Sequence, residues 1–186
     1  MPVHPTSTAG RERGQSIAEL AIILPVLLLL LLAILQIGLV LFAQVGLTNA
    51  AREVARNASA IPVATDAAAI TATTTYYGRL TDPSTGFLKR NVGGYDPNRL
   101  VTTGSNRTRV CYYSITDASG APAIMATVRV EYSHLLFLPF AGAILDAWDG
   151  TPDGGLTLSV IEDIRVGNAV LTTTDIGDIT NPTCNP

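Results

Sequence analysis

The chain has 186 residues and a formal net charge of −3, and its positive mean hydropathy comes largely from one apolar block. This length accommodates one modest domain beside a membrane segment. Outside the ends of the apolar block no basic patch suggests nucleic acid as a partner. Motifs typical of metal-binding, phosphate-binding or nucleophile sites are missing, so the sequence indicates no cofactor, no small-molecule substrate and no enzyme.

The N-terminal third of the chain predicts a short leader followed by a long helix. Residues 1–14 are polar and carry prolines and glycines without periodicity, which is typical of a disordered segment. The block Leu20–Val45 contains no charged residue. As a helix it would be about 39 Å long, enough for a hydrocarbon core of about 30 Å. It is also longer than the ~7–15 apolar residues of a secretory signal. We therefore predict one helix over residues 15–60 that crosses a membrane at about 20–45.

Two residues are unusual within this predicted membrane helix. Glu19 is the only charged residue between Arg13 and Arg52. A carboxylate in a membrane costs roughly 2–3 kcal/mol or more at mid-depth, which makes Glu19 a candidate functional residue. Pro25 lies inside the apolar run, and we expect it to kink the helix or to melt one turn.

The orientation of the span follows mainly from its short N-terminal flank. Arginines lie on both sides of the apolar block, so the charge asymmetry is weak. A short polar N-terminus is the easier side to retain in the cytoplasm. We therefore expect residues after about position 50 to lie outside the cytoplasm, with residues 61–186 forming an extracytoplasmic α+β domain.

The end of the long helix, residues 46–60, is amphipathic. Small and apolar residues recur on one face at helical spacing. Gly46 and Ala50 form a small-xxx-small pair on this face, which permits the close approach of another helix. The pattern leaves two partners open for this face: the chain's own sheet, or a neighbouring subunit.

The remaining residues predict a second helix, a loop-rich region and three strands. Residues 63–77 are alanine-rich; Thr65 or Asp66 is a suitable N-cap, and Gly78 a suitable stop. β-Branched and aromatic residues then predict a strand at 109–116, and apolar alternation predicts strands at 122–132 and 156–166. Three half-buried strands suggest a small antiparallel sheet whose apolar face is covered by the helix after the membrane. The apolar run 135–145 between two of the strands is either core or an exposed partner-binding patch.

The residues that carry chemistry form no catalytic or metal-binding set. His4 and His134 each lack companions for a triad or a metal site. The carboxylates of 146–155 are spaced too irregularly for a calcium loop, so we predict no metal. Cys111 and Cys184 are either a disulfide or two free thiols, and an extracytoplasmic location favours the disulfide.

The N-terminal sequence resembles a known family of membrane proteins. Gly14, Glu19 and the Leu24-Pro25 pair, followed by Leu47-Thr48-Asn49-Ala50-Ala51-Arg52-Glu53-Val54-Ala55-Arg56, are similar to a TadE-like pseudopilin (minor pilin) of the tight adherence (Tad, or Flp-type) pilus. The resemblance implies a pilin-like fold and cleavage by a prepilin peptidase after Gly14. It also implies that Gln15 becomes the N-terminus and that Glu19 neutralises the new amine of a neighbouring subunit during assembly.

The resemblance further implies a role in the assembly or structure of a type IV-related pilus. The expected partners are the membrane, other pilin subunits, the prepilin peptidase and an inner-membrane assembly platform. The expected location is the cytoplasmic membrane, with the N-terminus in the cytoplasm. The alternative is a permanently anchored extracytoplasmic binding or adhesion module whose helix is never cleaved.

Overall fold

The computed structural model describes residues 9–137, 147, 155–167 and 183–184, with side chains from Ser16 onward. The elements in chain order are α1 (Ala9–Ser59), α2 (Asp66–Thr81), α3 (Phe87–Asn91), a 3-10 turn (Pro97–Arg99), β1 (Arg109–Thr116), β2 (Pro122–Leu135), β3 (Gly155–Arg165) and β4 (Thr183–Cys184). The chain divides into two compact units, Met1–Leu39 and Val40–Pro186, and the boundary falls within α1.

Helix α1 has 51 residues and begins before the predicted start at Gln15. No proline follows Pro5 until Pro25, and the glycines at 10 and 14 weaken a helix without ending it. Residues 9–14 are therefore helical, whereas the sequence suggested an irregular leader. The helix also continues through Pro25, so no turn is melted there.

The second unit contains a four-stranded antiparallel sheet in the order β3-β2-β1-β4. Along β2, the predicted inward residues are buried: Ile124, Ala126, Val128, Val130 and Tyr132. The alternation therefore identified the core face of this strand correctly, because successive side chains of a strand point to opposite faces. A long N-terminal helix and a small antiparallel sheet give the predicted α+β fold.

The amphipathic end of α1 belongs to the core of its own domain. Its small and apolar face is buried: Leu47, Ala50, Ala51, Val54 and Ala58 are inaccessible to solvent. These side chains share one apolar cluster with Tyr112 of β1 and Val128 of β2. Of the two partners that the sequence left open for this face, the structure identifies the chain's own domain.

The shorter elements depart from the sequence prediction at their ends. Helix α2 is capped by Thr65, whose Oγ1 accepts a hydrogen bond from the Ala68 amide at 3.2 Å. The helix passes through Gly78 and ends at Thr81. It continues because Leu80, at the next buried position, packs into the core, and burial outweighs the modest helix penalty of one glycine.

Candidate functional site

The residues of the predicted processing site lie within the first turns of α1. The backbone of Gly14 and Gln15 is helical, and Glu19 follows one turn later with an exposed side chain. Gly14 leaves that turn without a Cβ, which makes it the weakest point of the local helix.

The surface of α1 from Leu20 to Val45 is almost wholly apolar. The large side chains from Leu20 to Val45 that the structure exposes are isoleucine, leucine, valine and phenylalanine, most of them more than half exposed. The helix over Ser16–Ser59 is long and apolar enough to cross a membrane, by length and composition. This apolar surface is far larger than the apolar patches that a soluble monomer exposes to water.

Gly46 and Ala50 lie in the buried face of α1. A Cβ on Gly46 would overlap the carbonyl oxygen of Asn91 and lie 3.0 Å from its carbonyl carbon. Only glycine therefore allows the backbone after α3 to pass so close to the helix. Ala50, one turn later, is inaccessible to solvent. The close approach predicted for this pair is made to the chain's own backbone near Asn91.

Two tyrosines cap the C-terminal end of α1, a feature that the sequence analysis missed. The hydroxyl of Tyr76 donates to the carbonyl oxygen of Asn57 at 3.1 Å, and that of Tyr112 to the carbonyl oxygen of Ala58 at 3.0 Å. The last carbonyls of a helix have no partner within the helix and need one from elsewhere. Burial raises the pKa of both hydroxyls above the ordinary value, so both remain neutral donors at physiological pH.

Two polar side chains of α1 contact strand β3. Gln44 Nε2 donates to the carbonyl oxygen of Ser159 at 3.2 Å, and Arg52 Nε lies 2.8 Å from Glu162 Oε1. The arginine is 64% exposed, so this ion pair contributes at most about 1 kcal/mol. The two contacts fix the direction of α1 beside β3 more than they stabilise the domain.

A disulfide joins Cys111 of β1 to Cys184 of β4 and closes a loop of 73 residues. The two cysteines are direct cross-strand partners, and Thr183 pairs with Tyr112 beside them. Strand β4 is only two residues long. Such a short strand is weak without another attachment, so the covalent bond accounts for its position.

The polar groups between α2 and α3 form a structural turn beside a groove. A groove of 580 Å³ is lined by residues that include Glu53, Arg79, Asp82 and Arg90. Hydrogen bonds from Ser84 and Thr85 lower the pKa of the Asp82 carboxyl well below its usual range. An anion held so firmly is a poor general base at neutral pH.

The histidine and the acidic segment considered for metal binding give no site in the described residues. Burial, followed by the nearby Arg99 charge, lowers the pKa of His134. No group of three or more His, Cys, Asp or Glu side chains that could hold a metal occurs within the part of the chain described. Most of 146–155 lies outside those residues, as does His4.

Comparison with known proteins identifies one similarity. A family model described as TadE-like protein matches residues 14–56. No curated protein and no solved structure matches the chain. The matched stretch begins at Gly14 and includes Glu19, the apolar surface and most of the buried face of α1. It confirms the resemblance that the sequence indicated for this helix.

Proposed function

Because residues 14–56 match the TadE-like family, we propose that the chain is a minor pilin or pseudopilin of a tight-adherence pilus. Proteins of this family are structural components associated with the pilus rather than enzymes. The observation that carries the proposal is the coincidence of three features in one helix. These are a glycine at its weak first turns, a carboxylate one turn later, and an exposed apolar surface.

In this proposal the helix spans the cytoplasmic membrane with its N-terminus in the cytoplasm. The apolar surface of α1 supports the span, since its exposure to water would be very unfavourable. Processing by a prepilin peptidase after Gly14 would create an ammonium group on Gln15 close to the lipid. That ammonium group needs a counter-charge in a medium of low dielectric constant.

Glu19 supplies the counter-charge in our proposal. The Glu19 carboxylate of one subunit pairs with the Gln15 ammonium of its neighbour and thereby fixes the axial register between subunits. Removing one member of a buried pair leaves the other charge uncompensated, which costs several kcal/mol. Other pilins and an inner-membrane assembly platform are the partners that this mechanism requires.

Substitutions at Glu19 test the assembly role. We expect Glu19→Ala and Glu19→Gln to insert into the membrane normally but to lose incorporation into filaments or co-purification with other pilins. Glu19→Asp keeps the charge and should retain part of both. A loss of only about 1.4 kcal/mol would already reduce incorporation roughly tenfold. Wild-type incorporation of Glu19→Gln would contradict the mechanism, because that variant keeps the shape and lacks the charge.

A permanently anchored binding or adhesion module is the alternative, and cleavage separates the two functions. Co-expression with an active or an inactive prepilin peptidase should yield two chain lengths for the wild type. Gly14→Val should yield only the longer one, because the added side chain crowds the scissile bond. A single uncleaved length in every case would favour the alternative.

A further inference from the structure

Two exposed apolar side chains mark the end of strand β2. Leu135 is 54% exposed and Phe137 is 48% exposed, whereas Leu136 between them is buried. Outside α1, the other large apolar side chains exposed in the described residues are Ile61, Ile70 and Ile161. Single exposed apolar residues are ordinary features of a protein surface. The position of Leu135 and Phe137 in the fold therefore decides whether they matter.

Helix α1 and strand β3 run side by side in the same direction within the second unit. Three hydrogen bonds join them in the same order along both segments: Gln44 to Ser159 (3.2 Å), Arg52 to Glu162 (2.8 Å) and the amide of Gly167 to the carbonyl of Ser59 (3.3 Å). The start of β3 therefore lies toward residues 40–43 of the helix.

Strand β2 is antiparallel to β3, so its last residues lie at this same end. The register pairs Leu135 with Gly155. From Ser159 back to Gly155 the strand covers about 13 Å, at about 3.3 Å per residue. Leu135 thus lies well beyond the level of Gln44, in the direction of residues 40–43.

The surface of α1 at this end of the unit is apolar as well. Leu41 and Phe42 are each 60% exposed. The turn after α3 lies against the same stretch, because a Cβ on Gly93 would be 3.0 Å from Cε1 of Phe42. Exposed apolar groups from α1 and from the end of β2 therefore face the same end of the domain.

We propose that this end of the domain rests on the membrane, with Leu135 and Phe137 inserted at the lipid interface as a second attachment beside the helix. The inference rests on the proposed span of α1. Leu41 and Phe42 lie within the last turns of the predicted span, so a membrane surface at their level also meets the end of β2. The occupant is thus the phospholipid bilayer, by continuity with the apolar surface of the helix.

The polar groups beside this surface suit a position at the lipid headgroups. Arg99 Nη1 donates to the carbonyl oxygen of Ser133 at 3.3 Å, which holds a cation close to Leu135. An arginine beside apolar anchors is typical of proteins that contact a membrane interface.

Site-specific fluorescence in vesicles tests the attachment. A single cysteine at Leu135 or Phe137 of the full-length oxidised chain is labelled with the fluorophore NBD and reconstituted into vesicles of phosphatidylethanolamine and phosphatidylglycerol. Ile161→Cys and Ile70→Cys are matched controls, because those side chains are 52% and 51% exposed on other surfaces. Leu30→Cys reports the helix itself. Quenching is measured with brominated lipid and with aqueous iodide.

We expect labels at 135 and 137 to emit at shorter wavelength than the controls, to lose intensity with brominated lipid and to resist iodide. The control labels should show the reverse. If label 30 is quenched by lipid while labels 135 and 137 behave like the controls, the second attachment is wrong and the span survives. If label 30 is quenched by iodide, both ideas fail. A third result would also overturn the proposal. If label 135 is shielded from both quenchers, and dilution of the protein removes that shielding, the surface contacts a second copy of the chain and not the lipid.

Discussion

At the scale of single residues, the end of α1 depends on hydroxyl groups that come from distant parts of the chain. Tyr112 is separated by 54 positions from the carbonyl that it caps, and Tyr76 by 19. Sequence patterns report the burial of an aromatic residue but not the acceptor that its hydroxyl reaches. This is why the two caps escaped sequence analysis, whereas the local N-cap at Thr65 was among those expected.

Tyr112→Phe should destabilise the domain by about 1–2 kcal/mol, because the Ala58 carbonyl loses its partner in a buried environment. The measurement is the free energy of unfolding by denaturant, followed by circular dichroism in detergent. Tyr113→Phe, one position along β1, is the control and should change little because Tyr113 lies on the opposite face of the strand. Equal effects of the two substitutions would show that the hydrogen bond to Ala58 does not account for the loss of stability.

At the scale of elements, two helical glycines differ in what surrounds them. Gly46 of α1 faces the backbone at Asn91 and Val92, whereas a Cβ on Gly78 of α2 would meet nothing within 4 Å. The same sequence signal, a glycine within a helical pattern, therefore has opposite structural meanings. Sequence analysis assigned close packing to the first and a helix stop to the second, and the structure shows that α2 continues through Gly78.

Gly46→Ala should lower the stability of the domain by about 1–3 kcal/mol, the range for overpacking a well-filled site. Gly78→Ala should raise it by about 0.5–1 kcal/mol, because alanine is the better helix former. Thermal unfolding of both variants beside the wild type gives the comparison. A stabilising effect at Gly46 would contradict the close approach to α3.

The disulfide also acts at the scale of elements, since it attaches β4 to the sheet. In the chain-entropy view, closing 73 residues stabilises the fold by about 4 kcal/mol. Reduction should therefore lower the unfolding midpoint of the wild type and release two thiols. The Cys111→Ser, Cys184→Ser double variant should unfold at the lower midpoint, and reductant should not change that midpoint. Two alkylatable thiols in untreated extracytoplasmic protein would contradict the bridge.

The helices and strands with the strongest local sequence patterns were predicted most accurately. β1 was predicted with the bounds that the structure gives it, from its β-branched and aromatic residues. β2 and β3 were predicted to within a few residues, since alternation over eight or more positions is a strong signal. Helix α3 has five residues and was missed. Phe87 and Leu88 are buried, so packing rather than helix propensity holds it in place. β4 was missed because the position of a two-residue strand is set by a bond to a distant cysteine.

At the scale of the whole molecule, one helix serves two environments. Its first part exposes an apolar surface that suits lipid, and its last turns are buried in the core of an α+β domain. The sequence predicted the apolar span and the amphipathic extension, because both patterns are long and periodic, but it left open whether the extension packs on the chain's own sheet or on a neighbouring subunit. It did not predict that Leu135 and Phe137 are brought to the end of the domain where α1 enters, since that placement arises from strand direction and register.

The central claim is that the Gly14–Gln15 bond is cut, since the proposed role of Glu19 requires the amine that this cut creates. The most direct measurement is N-terminal sequencing, with the intact mass, of the chain extracted from membranes of cells that contain a prepilin peptidase. We expect a mature chain that begins at Gln15. A chain that retains residues 1–14 under those conditions would contradict it.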